Sequence, residues 1–289
     1  MDGVKNINKT MRQHLSKYFP LFLLPTLIAF IIGFIWPFIW GLYLSFFKFK
    51  TLKFAEFTGF RNYILAFSDK DFVYSFFFTA VFAIVVVVII NAVAFLLANL
   101  LTSKIKGSTI FRTIFFMPNL IGGIVLAYVW KEILNDVIFL LYDSALMLNP
   151  NYGFWGLVIL LSWQQIGYMM IIYIAGLQNV PNDYIEAAKI DGASTIQILR
   201  KITIPSIMPQ ITICLFLSLT NAFKLFDQNL ALTNGAPNKS TEMLALNIYN
   251  AFYSNVTNLG VGQAKAVIFF ILVVSLSLAQ LYITRKRET

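Results

Sequence analysis

The sequence predicts an all-α polytopic membrane protein with six transmembrane helices. Two observations carry this expectation. Of 289 residues, 58% are hydrophobic and only 12% are charged, too little charge to cover the surface of a soluble domain of this length. The apolar residues, 29 Phe among them, also gather into runs of about 20, the length a helix needs to cross a hydrocarbon core of about 30 Å. The same composition excludes a disordered chain.

The spans follow in order. The first runs from about Tyr18 to Phe47 and is interrupted by Pro20, Pro25 and Pro37. It is too long for a signal peptide, and Ser45-Phe46-Phe47 does not resemble a small-residue cleavage site, so it is expected to stay as a helix. The second covers about Tyr74–Leu101 and the third about Thr113–Leu134, with Pro118, Gly122 and Gly123 inside it. Asp136–Leu148 is too short to span and reads as an interfacial or re-entrant piece. The fourth covers about Gly153–Leu177, the fifth Ser206–Gln228 and the sixth Ala264–Thr284.

Six spans place both termini on one side of the membrane. That side carries thirteen Lys and Arg against five Asp and Glu, and the other side eight against seven. The positive-inside rule makes the richer side cytoplasmic. Most of the net charge of +9 is then topological, and nucleic acid is not expected as a partner. Lys224 and Asp227 stand three apart in the fifth span, a spacing at which they could pair on a helix. A lone cysteine, Cys214, makes no disulfide framework, and the one histidine, His14, lies in the polar N-terminal tail. No metal site or catalytic triad is therefore expected. Nor is there a phosphate-binding G-x-x-x-x-G-K-[ST] loop.

The longest polar interruption is the loop 178–205, which this topology places in the cytoplasm. Pro181 is expected to end the fourth span. Asp183, with Glu186 three residues on, has the spacing of a capping box that would start a short helix. Gly192 would stop that helix with positive φ, and Ser194 would cap a second one. Ala187, Ala188, Gly192 and Ala193 leave a face narrow enough for close docking. A plain connecting hairpin is the simpler reading, although most connections run only about 4–6 residues.

The pattern Glu186-Ala187-Ala188, three residues, Gly192, nine residues, Ile202-x-Ile204-Pro205 resembles the EAA loop of ATP-binding-cassette (ABC) importer permeases, with Ile204 where Leu is usual. Further segments resemble the carbohydrate-uptake group of maltose, glycerol-phosphate and multiple-sugar type. They are Phe57–Tyr63, Phe111–Pro118, Gly176–Pro181 and Leu232–Pro237 with Ser240-Thr241-Glu242. The large outer domain of the maltose-type subunit is absent, because only Lys48–Val73 separates the first two spans.

The resemblance implies a cytoplasmic tail over 1–17, a six-helix permease domain over 18–284 with the loop 178–205 as its coupling element, and a basic tail over 285–289. It implies that Glu186, Ala187, Ala188, Asp191, Gly192 and Ala193 contact an ATPase subunit, Glu186 either pairing with a base there or capping its own helix. The implied partners are a second related permease, an ATPase dimer, an extracellular or periplasmic solute-binding protein, a sugar and the lipid bilayer. ATP and Mg would be held by the ATPase and no cofactor by this chain. The location implied is the bacterial cytoplasmic membrane.

Polar side chains in a span are costly and face a cavity or another helix. Trp163, Gln164, Gln165 and Tyr168 in the fourth span, and Ser218, Asn221 and Leu225 in the fifth, are the candidate substrate contacts. Amides, hydroxyls and aromatic faces are what a sugar needs. Helix–helix hydrogen bonding explains any one of these residues equally well. Three other functions stay open: a permease for another small polar solute, an ion-driven secondary transporter, and a membrane-embedded enzyme. The second would want buried acids in mid-span, and only Asp227 comes close. The third would want a catalytic constellation in the spans, and none is visible.

Overall fold

A computed structural model describes residues 21, 23–51, 55–103, 107–253 and 258–286. The expected tail over 1–17 and the end of the basic tail at 287–289 lie outside the described residues.

The chain is mainly helical. Helix α1, Leu23–Leu44, contains a π-helical stretch at Ile31–Ile35. A two-residue antiparallel hairpin, β1 (Phe47–Lys48) with β2 (Glu56–Phe57), leads to α2 (Arg61–Ser68) and the long α3 (Lys70–Thr102). Next come α4 (Ser108–Leu120, its last turn 3₁₀), α5 (Gly123–Tyr142) and α6 (Pro150–Gln178). The chain continues as α7 (Asn182–Ile190), α8 (Thr195–Ser206), α9 (Met208–Phe223), α10 (Asp227–Leu232), α11 (Leu244–Tyr253) and α12 (Leu259–Arg285).

Among the described residues, α1, α3, α6 and α12 are each long and apolar enough to cross a membrane. Two further pairs pass the same test only together: α4 with α5, bent by 102°, and α8 with α9, bent by 73°. The expected third span, Thr113–Leu134, is thus not one continuous helix: it breaks at Ile121-Gly122 and then runs on to Tyr142, so Asp136–Tyr142, expected as a separate piece, is the end of α5. The fifth span also stops early, at Phe223 instead of Gln228.

The core forms where α3 meets α6. Phe82, Val86, Ile90, Ala94 and Ala98 recur every fourth residue and are fully buried. On a helix that spacing makes one stripe, and Ala94 and Ala98 let the neighbouring helix approach closely. The opposite face, with Ile84, Val88 and Leu96, is exposed, as expected of a surface that meets lipid. Leu157, Leu160, Leu161, Met169 and Met170 supply the facing side from α6. Gly167 marks the tightest contact. A Cβ there would lie 1.8 Å from the Phe115 carbonyl oxygen, so any side chain would push α4 off α6.

Candidate functional site

The polar residues picked out in the spans do not form one cluster. Gln164 is buried and holds the break before α5: its Nε2 donates to the Ile121 carbonyl (3.1 Å), and its Oε1 accepts from Gln228 Nε2 (2.8 Å). Ser218 is fully buried. Its Oγ donates to the Cys214 carbonyl (2.7 Å) and accepts from Asn91 Nδ2 (2.9 Å), while Tyr173 donates its hydroxyl to Asn91 Oδ1 (2.7 Å). Sequence reasoning passed over Asn91 and Tyr173, the two residues that complete this tie between α3, α6 and α9. Leu225 is buried in the core.

Gln165, Tyr168 and Asn221 sit differently. All three are half-buried. Asn221 Nδ2 donates to Gln165 Oε1 at 3.2 Å and so joins α9 to α6. Tyr168 lies one helical turn from Gln165 on α6, with its ring 6.4 Å from that of Phe116. Trp163 is exposed and meets Trp130 edge-on at 5.4 Å. The expected Lys224–Asp227 pair is absent among the described ion pairs. Both side chains are exposed, and they belong to no common helix: α9 ends at Phe223, just before Lys224, and α10 begins at Asp227.

The segment after α6 forms the two helices that the sequence signalled. Gly192 takes φ +79°, and the N–H groups of Gly192 and Ala193 bond back to the carbonyls of Lys189 (3.1 Å) and Ala188 (2.9 Å). This glycine C-cap satisfies carbonyls at the end of α7. Ser194 caps α8 reciprocally with Gln197. The expected capping box at Asp183 is not made. Helix α7 begins at Asn182 after Pro181, which puts Asp183 and Glu186 inside the helix and out of capping position. Glu186 and Ala187 are exposed and Ala188 is half-buried. A cleft of about 410 Å³ is lined by Ala188, Asp191, Gly192, Ala193, Gln197, Ile198, Lys201 and Ile202. Tyr184, Ile190 and Ile196 project from the same segment, 62%, 86% and 74% exposed.

A third polar group gathers at the opposite end of the helices, where α3 and α12 begin. Lys265 is buried. Its Nζ donates to Asp69 Oδ2 (2.6 Å) and Asn247 Oδ1 (2.9 Å) and stands 5.1 Å from the Phe72 ring centre. Asn247 Nδ2 in turn donates to Glu242 Oε2 (2.9 Å), whose side chain is also buried. Lys239 pairs with Asp71 at 2.6 Å, and the Tyr74 hydroxyl donates to the Ser240 carbonyl (3.0 Å). These contacts fasten the segment 233–247 across the starts of α3 and α12. The sequence reading counted Asp69, Glu242 and Lys265 among the charges of the outer side, with Glu242 also in the segment resembling the family's loop, and foresaw no tie between them, because their pairing spans up to 196 residues.

Burial raises the Asp69 carboxyl, but the Lys265 hydrogen bond and charge, with the N–H groups of Asp71 and Phe72, outweigh it and hold the group below its ordinary value. The contribution of a depressed acid is complete above its unfolded value and disappears as pH falls through the folded one. This tie should therefore hold above the ordinary carboxylate value and loosen as pH falls below it. Lys265→Ala is expected to lower the melting temperature in detergent by several degrees. Breaking a fully buried pair costs roughly 3–5 kcal/mol, and less applies here because the Asp69 side chain is 35% exposed. The double variant Asp69→Asn/Lys265→Met should recover part of that loss, which thermal unfolding checks directly.

Comparison with known proteins places this arrangement. A bacterial ABC transporter involved in the import of the acidic polysaccharide alginate superimposes with a TM-score of 0.80. That match covers 96% of this chain and 99% of the other at 18% identity, a likeness of fold. The probable starch degradation products transport system permease of Thermoanaerobacterium thermosulfurigenes is 45% identical over 278 residues, covering 94% of this chain and 95% of that protein. The multiple sugar-binding transport system permease of Streptococcus mutans is 32% identical, covering 96% and 99%. Residues 106–289 match the family described as the binding-protein-dependent transport system inner membrane component. By that match and by these relatives, the chain belongs to the family of inner-membrane permeases of binding-protein-dependent ABC transport systems.

Proposed function

We propose that this permease carries a sugar or oligosaccharide through an ABC importer of the cytoplasmic membrane and lines half of its pathway. Six crossings, with each bent pair counted as one, would leave both termini in the cytoplasm. The segment 178–205 would then face the cytoplasm as the coupling element for a separate ATPase dimer, in which ATP and Mg reside. A second related permease would supply the other half of the pathway, and a solute-binding protein would deliver the sugar.

The observation that carries this reading is the helix–glycine–helix segment itself. It is ordered by its own caps yet leaves Glu186, Ile190 and Ile196 turned away from the rest of the chain. Glu186, clear of its own helix start, suits pairing with a base on the ATPase. Asp191, Gly192 and Ala193 shape the cleft beside Ala187 and Ala188. When the ATPase dimer closes on ATP, force applied here reaches the spans directly, because α8 continues into α9 through the bend at Ile207.

Substrate handling falls to Gln165, Tyr168 and Asn221, whose amides and ring remain partly open, with Trp163 at the margin. Gln164, Ser218 and Leu225 set the shape behind them. The starch-product and multiple-sugar relatives make α-glucan oligosaccharides the first panel to try. The partner assignment is tested by co-purification. Tagged full-length chain extracted in mild detergent should bring down a nucleotide-hydrolysing subunit in an ATP-dependent ratio, and recovery of the chain without any ATPase activity would refute the coupling role.

A further inference from the structure

The short helix α2 and the hairpin before it connect α1 to α3 and are two-sided. Asn62 and Ala66 of α2 are buried against the chain. Phe60, Ile64 and Phe67, four and three residues apart, share another face, and they are 69%, 65% and 61% exposed. Phe57, in β2, is 68% exposed. Arg61 and Ser68, both exposed, border the apolar face.

Contacts on the page fix the level at which this face lies. Asn62 Nδ2 donates to the carbonyls of Ser45 (2.8 Å) and Phe47 (2.9 Å), and its Oδ1 accepts from Asn258 Nδ2 (3.1 Å). The Tyr63 hydroxyl shares a hydrogen bond with Ser45 Oγ (2.6 Å). Ser45 directly follows α1, Asn258 caps α12, and only Asp69 separates α2 from α3. Helix α2 is therefore held down on the ends of three spanning helices. A run of touching rings also leads out of α1 into the hairpin. Centroids are 5.5 Å apart for Trp40 and Tyr43, 4.7 Å for Tyr43 and Phe47, and 5.3 Å for Phe47 and Phe57. Phe60 meets Phe46 edge-on at 5.4 Å. Trp and Tyr gather where a span leaves the hydrocarbon, so exposed Trp40 and Tyr43 place the hairpin and α2 at the membrane–water boundary. The charges agree with that level. Lys48, Lys50, Arg61 and Lys70 are exposed, whereas Asp69 and Asp71 are engaged by Lys265 and Lys239, which leaves Glu56 as the one unengaged acid among the described residues of this stretch.

We infer that α2 and its hairpin form an interfacial foot whose partner is the phospholipid bilayer. Phe57, Phe60, Ile64 and Phe67 enter the boundary between headgroups and acyl chains, a depth of about 5–10 Å for a helix lying in the interface. Lys50, Arg61 and Lys70 stand level with the lipid phosphates. The foot sets the depth of α1, a helix that packing alone fixes poorly: Leu44 is the one buried residue of Trp36–Leu44. The inference goes beyond the saccharide-permease reading and does not depend on the solute carried. The competing occupants of the same face are the second permease and the solute-binding protein.

The test is site-specific photo-crosslinking in the complete importer with its binding protein present. The photoreactive residue p-benzoylphenylalanine replaces Phe60, Ile64 or Glu56, one at a time. The vesicles are of phosphatidylethanolamine and phosphatidylglycerol with a trace of radiolabelled phospholipid. Glu56 is the internal reference, because successive strand residues face opposite ways and Glu56 turns away from Phe57. The probe at Phe60 keeps an aromatic side chain, and the one at Ile64 serves as an independent second site, so a folding defect at one leaves the other to decide. On irradiation, the probes at Phe60 and Ile64 are expected to take up at least about threefold more lipid label than the probe at Glu56. A smaller ratio at both sites overturns the inference. So does attachment of both to the second permease or to the binding protein in place of lipid.

Discussion

Gly192→Pro and Ala188→Trp are each expected to lower ATP-driven uptake by at least about tenfold while the protein still reaches the membrane and binds the second permease. The reasons differ. Gly192 holds φ +79°, and proline fixes φ near −65°, so the turn between α7 and α8 must rebuild. It would also remove the N–H that bonds the Lys189 carbonyl. Ala188 lines the cleft, and an indole there fills the space a partner would enter. Gly192→Ala should be milder. No atom lies within 4 Å of the added Cβ, so the penalty is the left-handed backbone alone, about 1–2 kcal/mol. Uptake and ATPase activity measured side by side check the series. Normal uptake in both severe variants would remove 178–205 from the coupling path.

The second large effect lies in the spans. Tyr168→Ala and Asn221→Ala should each abolish uptake, roughly a hundredfold loss or more, while membrane level and basal ATPase activity persist. Asn221→Ala removes one interhelical hydrogen bond, that to Gln165. Such bonds contribute only about 0.6–2 kcal/mol in membranes, so folding should survive the change. Gln164→Ala is the contrasting control. It strips partners from both the Ile121 carbonyl and Gln228, and it should reduce thermal stability along with transport. Unaltered uptake in Tyr168→Ala and Asn221→Ala would place the pathway elsewhere.

The apolar runs were legible because a helix of about 20 apolar residues has few alternatives in a membrane. The turn at Gly192 and the cap at Ser194 were legible for a local reason: each is decided by residues within one helical turn. The bends were not. Hydropathy counts how apolar a run is and carries no direction, and the break at Ile121-Gly122 is held by Gln164, 43 residues away. Lys224 and Asp227 looked paired only on the assumption of an unbroken helix. The Asp183 capping box failed by a shift of the helix start to Asn182, the kind of boundary that a sequence leaves loose. Ser218 had the right chemistry for a cavity, yet its partner Asn91 comes from a helix 127 residues earlier. The tie between Asp69, Lys265, Asn247 and Glu242 escaped for the same reason.

Coupling and substrate handling meet in a single measurement. The chain, its second permease, the ATPase pair and the binding protein are reconstituted in proteoliposomes, and entry of radiolabelled α-glucan oligosaccharides is followed with ATP on the ATPase side. The account predicts accumulation that requires ATP, requires the binding protein on the opposite side, and is lost in both Asn221→Ala and Gly192→Pro, with ATP hydrolysis retained. Accumulation driven by an ion gradient without ATP, or undiminished in those two variants, would contradict it.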